Sequence, residues 1–140
     1  MATGTLKATE AKEGLEAPVK EITLERMDLV RYAGASGDFN PVHTDEVFAK
    51  AAGQPSPFGH GMFSMGLLGT ALTDWVGIGN VREFGVRFVK QTWPGEVLRT
   101  KIVITNVAEK DGQTVLTVEC SLENADGEVK VTGDATAVVG

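Results

Sequence analysis

The residues able to do acid–base chemistry sit on two short stretches. The first is Gly34-Ala35-Ser36-Gly37-Asp38-Phe39-Asn40-Pro41-Val42-His43, where a carboxylate and an imidazole share one loop. Glycines and a proline bracket the pair, and such residues fix turns rather than regular elements. A carboxylate and an imidazole held in fixed relation are the parts of a general acid/base pair, and an imidazole with a pKa near ~6.5 can take or give a proton at neutral pH. The second stretch is Gly59-His60-Gly61-Met62, which carries the only other histidine and leads into a long apolar run. Taken alone, an aspartate near a histidine is more often solvated loop polarity than catalysis, and Asn40-Pro41 reads equally as turn chemistry. The surrounding elements decide between these readings.

Those elements follow from periodicity. Val19–Leu24 reads as a short strand, and Thr23 as the N-cap of a helix carrying Met27, Val30, Tyr32 and Ala33, broken at Gly34. Asp45–Ala52 reads as a second short helix ended by Gly53. Pro55 and Pro57 make 54–59 an extended loop. From Gly61 to Val76, Met62, Met65, Leu68, Leu72 and Trp75 recur three or four apart, and Phe63, Leu67 and Ala71 widen the stripe, which predicts a buried helix. Gly66 and Gly69 cost about 1 kcal/mol each inside a helix, and close approach to a sheet is the expected compensation. After Gly79 the period changes to two. Strands are predicted over 81–90, 97–107, around 116–122 and around 129–137, linked by turns at Pro94-Gly95, Asp111-Gly112 and Asp126-Gly127. This predicts an antiparallel meander, and one buried helix followed by a meander implies an α+β domain whose sheet wraps around that helix. The free edges of such a sheet favour a dimer.

Composition narrows the function classes. The 140 residues suit one domain, and a formal charge of −6 argues against nucleic acid, whose phosphates need a basic face. A single cysteine, Cys120, rules out an intrachain disulfide and a Cys-based zinc site, and reads as a small buried apolar residue. Residues 1–18 are polar, without the apolar core of a secretory signal, and read as a flexible tail ahead of one domain over 19–140. The apolar run 62–78 is interrupted by Asp74 and glycines, so no membrane span is expected and a cytoplasmic setting fits. The glycines at 34 and 37 lack the Lys and Ser/Thr of a phosphate-binding loop, and Asp38, His43, Asp45 and His60 lack metal-ligand spacing, so no metal or cofactor is expected.

Tyr32-Ala33-Gly34-Ala35-Ser36-Gly37-Asp38-Phe39-Asn40-Pro41-Val42-His43 resembles the signature of the (R)-specific enoyl-thioester hydratases, the MaoC-like group of the hot-dog fold, whose pattern is an aromatic, small residues, then Gly-Asp-x-Asn-Pro-aliphatic-His. His60-Gly61-Met62 is similar to the family's His-Gly-Met at the mouth of the hot-dog helix, and the chain most resembles the short single-domain dehydratases of actinobacterial fatty-acid synthesis. The resemblance implies a single hot-dog domain and reversible hydration of trans-2-enoyl thioesters to (R)-3-hydroxyacyl thioesters. It implies Asp38 and His43 as the catalytic pair holding one water, the Gly61 backbone N–H as donor to the thioester carbonyl, and Asn40 on the substrate-binding side. It also implies an acyl-CoA or acyl-carrier-protein thioester as substrate, and a homodimer or a pairing with a related hot-dog subunit. Gly69 departs from relatives that carry a hydroxyl there. His60 reads as structural, bracing the start of the helix, and Arg82, Arg87, Lys90, Arg99 and Lys101 are the only cations grouped for a CoA phosphate. Two other classes share the fold: a thioesterase, which the Asp-x-Asn-Pro-x-His loop disfavours, and a non-catalytic subunit, which would have lost the pair.

Overall fold

The computed structural model describes residues 4–140. A 16-residue helix, α3 (Gly61–Val76), forms where its apolar spacing places it, and buries Leu68, Ala71, Leu72, Trp75 and Val76. The described chain has five strands: β1 (Glu21–Thr23), β2 (Val81–Phe88), β3 (Val97–Lys110), β4 (Gln113–Asn124) and β5 (Val129–Val139). They make one antiparallel sheet in the order β1-β3-β4-β5-β2. Leu98, Ile102 and Ile104 of β3, Leu116, Val118 and Leu122 of β4, and Val131, Ala135 and Ala137 of β5 close on the helix to form the core. Each such side chain contributes roughly 1.5–3 kcal/mol by leaving water. This is the helix-wrapped α+β sheet that the sequence predicts.

Two turns form as their residues require. Asp111 (φ 53°) and Gly112 (φ 75°) both lie in the left-handed region, the geometry of a two-residue hairpin between Lys110 and Gln113. At the β4–β5 turn, the Asn124 side-chain oxygen accepts from the backbone N–H groups of Asp126 and Glu128. The expected meander holds for β3, β4 and β5 and fails for β2. That strand pairs with β5, and the β3 edge it would have used is taken by β1. The N–H groups of Val89 and Lys90 both donate to the Lys130 carbonyl, extending the β2–β5 ladder, so Pro94-Gly95 belongs to a crossing segment and not to a hairpin.

Three further local expectations change. Helix α1 (Arg26–Ser36) starts after Glu25, whose N–H donates to the Asp28 carboxylate at 2.8 Å, and not at Thr23. It runs through Gly34 and stops at Gly37, whose φ of 78° is the left-handed conformation that glycine adopts most readily. The expected tail over 1–18 is instead docked over its described part. The N–H of Leu6 donates to the Trp75 carbonyl at 2.9 Å and that of Thr5 to Asp74, closing the C-terminus of α3. Gly14 and Ala17 donate to Ile104 and Ile102 of β3, and Leu6 and Ala17 are buried. Gly69 lies against the sheet, where an added methyl would touch Phe84 at 3.4 Å, while nothing lies within 4 Å of Gly66, so the expected close approach holds at most for Gly69. No helix among the described residues is long and apolar enough to cross a membrane.

Candidate active site

Asp38 and His43 lie on the connection between α1 and α2 (Glu46–Ala51). Local hydrogen bonds fix its shape. The Ser36 hydroxyl accepts from the Asp38 N–H, Asp38 Oδ1 from the Asn40 N–H at 3.2 Å, and Asn40 Oδ1 from the Val42 N–H at 3.2 Å. Pro41–His43 then form a 3-10 turn, and the Asp45 carboxylate caps α2 by accepting from the Phe48 N–H. Each polar side chain here replaces a backbone partner, which is how Ser, Asp and Asn stabilise loops. Asn40, expected on the substrate side, has its side-chain oxygen engaged in this turn.

His43 is buried, and its Nδ1 lies 2.7 Å from the Phe58 carbonyl. A carbonyl only accepts, so the neutral ring carries its proton on Nδ1 and presents a lone pair at Nε2. Nε2 lies 3.9 Å from Asp38 Oδ2, beyond a direct hydrogen bond and spaced for one water between them. The Asp38 carboxylate is half exposed, so the pair opens to solvent on that side.

His60 holds both partners. Its Nε2 donates to the Asp38 carbonyl at 3.1 Å, and its ring stacks on His43 with centroids 3.9 Å apart and planes 26° apart. Tyr32 of α1 covers it from another side at 4.8 Å. Burial, joined by the neighbouring His43, pulls the His60 pKa below its ordinary 6.5, against the opposing pull of Asp38. A neutral His60 also suits its place at the start of α3, where the helix dipole disfavours a cation. The sequence marks His60 as structural; its contact with both members of the pair is visible only in three dimensions.

Asp38, His43 and His60 bring ligand-type atoms within 4.8 Å of one another. A metal must lie in the plane of each imidazole that binds it. Two rings stacked at 26° point their lone pairs along nearly parallel planes, so they do not converge on one ion.

Gly61 opens α3. The first helical bonds are made by Phe63 and Ser64 to the His60 carbonyl, so the Gly61 N–H precedes the satisfied ladder, at the positive end of the helix. A methyl at Gly61 would press on the Phe88 ring at 3.1 Å. Phe58, Gly61, Ser64, Phe88, Thr92 and Val131 line a cleft of about 400 Å³, which adjoins the pair through Phe58. A larger groove of about 810 Å³ runs over the outer sheet face among Arg87, Lys101, Glu119 and Asp134, but it holds neither Asp38 nor His43. Of the cations grouped for a phosphate, Arg87 and Lys101 share this groove, and four have partners of their own. Lys90 pairs with Glu128, Arg99 with Glu21 and Lys101 with Glu16, and Arg82 bonds the Gly79 carbonyl. Cys120 is buried, and burial, with Asp134 adding to it, pushes its thiol up to about 11, which leaves it inert.

Comparison with known proteins identifies the family and the fold. The family model described as MaoC like domain matches residues 8–125. The 3-hydroxyacyl-thioester dehydratase Y of Mycobacterium tuberculosis is 39% identical over 108 residues, 74% of this chain; the chain spans 35% of that relative's length. Among solved structures, the (R)-hydratase from A. caviae involved in PHA biosynthesis superposes with a TM-score of 0.82 at 22% identity, over 94% of this chain and 98% of that one. A chain of the ChsH1-ChsH2 complex from Mycobacterium tuberculosis does so with a TM-score of 0.80 at 24% identity, over 93% and 99%. These two likenesses show the fold, the hot-dog arrangement of sheet and helix. With the matched domain spanning both site loops and α3, the chain belongs to the MaoC-like domain family.

Proposed function

We propose that the protein catalyses the reversible hydration of trans-2-enoyl thioesters to (R)-3-hydroxyacyl thioesters, with Asp38 and His43 as the catalytic pair. The observation that carries this reading is the fixed His43 tautomer, with its Nε2 lone pair facing the Asp38 carboxylate across 3.9 Å. Water adds its oxygen to C3 and a proton to C2, so one proton is removed from the water and one delivered to carbon. Two groups flanking one water suit that exchange. Addition at C3 pushes charge onto the thioester oxygen, and an N–H at the start of α3, that of Gly61, opposes it. Losing such a donor costs about 3 kcal/mol in barrier. Phe58, Phe88 and Val131 supply apolar wall for an acyl chain, and Asn40 contributes by shaping the loop.

The substrate is an acyl-CoA or acyl-carrier-protein thioester, no cofactor enters the reaction, and the acidic surface and single buried cysteine fit a cytoplasmic setting. The test is purified protein with crotonyl-CoA and longer enoyl-CoAs, following loss of the enoyl thioester absorbance. Hydration by this chain alone is expected. Release of free CoA thiol without hydroxyacyl product points to a thioesterase and overturns the proposal. A second reading, that a related hot-dog subunit completes the acyl pocket, is favoured by the exposure of Phe39, Met62, Phe88 and Val89 beside the site residues, and by the likeness to a chain of a two-protein complex.

A further inference from the structure

Lys130 is the largest fully buried side chain of the described residues, and it is a charged one at the start of a β-strand. Burying an unpaired ammonium costs several kcal/mol, so its partners must be close and well placed. Its Nζ lies 3.0 Å from Glu96 Oε2 and 2.6 Å from Glu128 Oε1. Glu96 is in turn saturated: Oε2 accepts from Asn124 Nδ2 at 2.8 Å and Oε1 from the Trp93 N–H at 2.7 Å. Glu128 closes the network outward onto Lys90 at 3.1 Å. Two ammonium groups and two carboxylates thus balance, and all of them border the segment between β2 and β3.

That segment is the far wall of the cleft, and it reaches His43 through Phe58. The Lys130 carbonyl receives the Val89 and Lys90 N–H groups at its start, and Glu96 anchors its end. In between, the Thr92 carbonyl accepts from the Gly59 N–H at 2.8 Å, and the Thr92 hydroxyl sits so close to the Gly59 Cα that no Cβ would fit there. The Trp93 ring meets the Phe58 ring edge-on at 5.8 Å, and the Phe58 ring meets His43 at 5.0 Å while its carbonyl holds His43 Nδ1. Nothing in the chemistry of a hot-dog core requires a lysine at position 130, and an apolar residue would fill the volume at lower cost. We propose that Lys130 and Glu96 form a positioning pair that clamps residues 89–96 against the Phe58–Gly59 corner and thereby holds the His43 imidazole in its Nδ1–H form. The pair touches no reacting atom; it acts through Trp93 and Phe58. The inference rests on the functional reading above only for its kinetic consequence.

The protein's two histidines make the test direct, because ring-nitrogen NMR resolves the tautomer of each. Wild-type protein is expected to show His43 in the Nδ1–H form. Lys130→Met should bring in the second tautomer and lower kcat about tenfold or more, as small misplacements of catalytic groups do. Val118→Ala, a truncation in the core on β4, is the control: it should lower Tm and leave the His43 spectrum unchanged. Glu96→Gln, which keeps the side chain's shape and its acceptor for the Trp93 N–H, carries the test should Lys130→Met fail to fold. If these variants lower Tm alone, with His43 and kcat as in wild type, the pair is merely structural and the proposal is wrong. A wild-type protein without hydratase activity would sink the functional reading but leave the NMR comparison able to decide this one.

Discussion

Asp38 and His43 sit in unlike surroundings. Asp38 reaches solvent while its Oδ1 holds its own loop, and His43 is enclosed between Phe58 and His60. Asp38→Asn keeps an acceptor for the Asn40 N–H and should fold normally. His43→Gln replaces a buried ring and should lose some stability as well. Both are expected to lower kcat by about 10²–10⁴, the range for removing a general acid or base, with a double variant little worse than the poorer single one, since in the proposed mechanism they act on one water. Steady-state kinetics checks this, and near-wild-type turnover in either single variant rules the pair out. His60 belongs to a different experiment. Its pKa is lowered in the folded protein by burial, so between the folded value and the ordinary 6.5 the unfolded chain binds the extra proton. Stability from this source is full above about pH 6.5 and is lost as pH falls toward the folded value. The lowered carboxyls of Glu46 and Glu128, each held down chiefly by a hydrogen bond from a cation (Arg26 and Lys130), act only nearer their ordinary 4.5. Unfolding midpoints of wild type and His60→Gln between pH 5 and 7 should therefore converge at the acid end; parallel curves would contradict it. The sequence identified the two catalytic candidates because residue type and loop punctuation lie along the chain. The hold of His60 on Asp38 spans residues far apart, and the Phe58 carbonyl that fixes His43 is backbone, which no residue type announces.

At the scale of elements, the face of α3 with Met62, Gly66, Thr70 and Asp74 is exposed, where apolar residues nearly all round predict a fully buried helix. The helix itself was legible because its buried face (Leu68, Ala71, Leu72, Trp75, Val76) leaves an apolar stripe at helical spacing. The β2–β5 pairing was not, since alternation tells which face of a strand is buried and is silent about its neighbour. The N-terminal segment was hidden for a related reason. Its ties to Asp74, Trp75, Ile102 and Ile104 are backbone hydrogen bonds, made equally well by polar residues that read as a tail. Deleting residues 1–10 removes the buried Leu6 and uncaps two carbonyls of α3, and should cost about 3 kcal/mol, from one leucine burial and two hydrogen bonds. Chemical denaturation of the truncated protein measures it, and an unchanged midpoint would show the segment to be dispensable. On β5, Gly133 faces the Gly85 carbonyl so closely that a methyl cannot be placed without moving backbone, and Val86 and Cys120 crowd the same point. Gly133→Ala should destabilise by about 1–3 kcal/mol, the range for overpacking, with the thermal midpoint as readout and no shift as the contrary result.

The whole molecule presents two sheet edges of unequal character. The outer edge of β3 is covered by the three residues of β1 and by the Glu16–Val103 bridge from the N-terminal segment. The other edge is β2, eight residues long, with no strand beyond it in the described chain. An open edge of that length is a template for pairing, and soluble proteins cover such edges or pair them. At its end lie Phe88 and Val89, each more than half exposed, close to Gly61; Met62 and Phe39, equally exposed, adjoin Gly61 and Asp38. Apolar surface beside the proposed catalytic pair and continuous with an open strand would be covered by a second subunit, and a two-fold axis at β2 would do so with the same surface from each copy. The expected mass by light scattering is therefore twice the 14.8 kDa of one chain, holding on dilution to the low micromolar range. A stable monomer that turns over enoyl thioester there would exclude the homodimer as a requirement of the site. A monomer that is inactive until a second hot-dog chain is added would place the missing wall on a different subunit, since the open edge and the exposed Phe88 demand a cover without specifying that it be an identical copy.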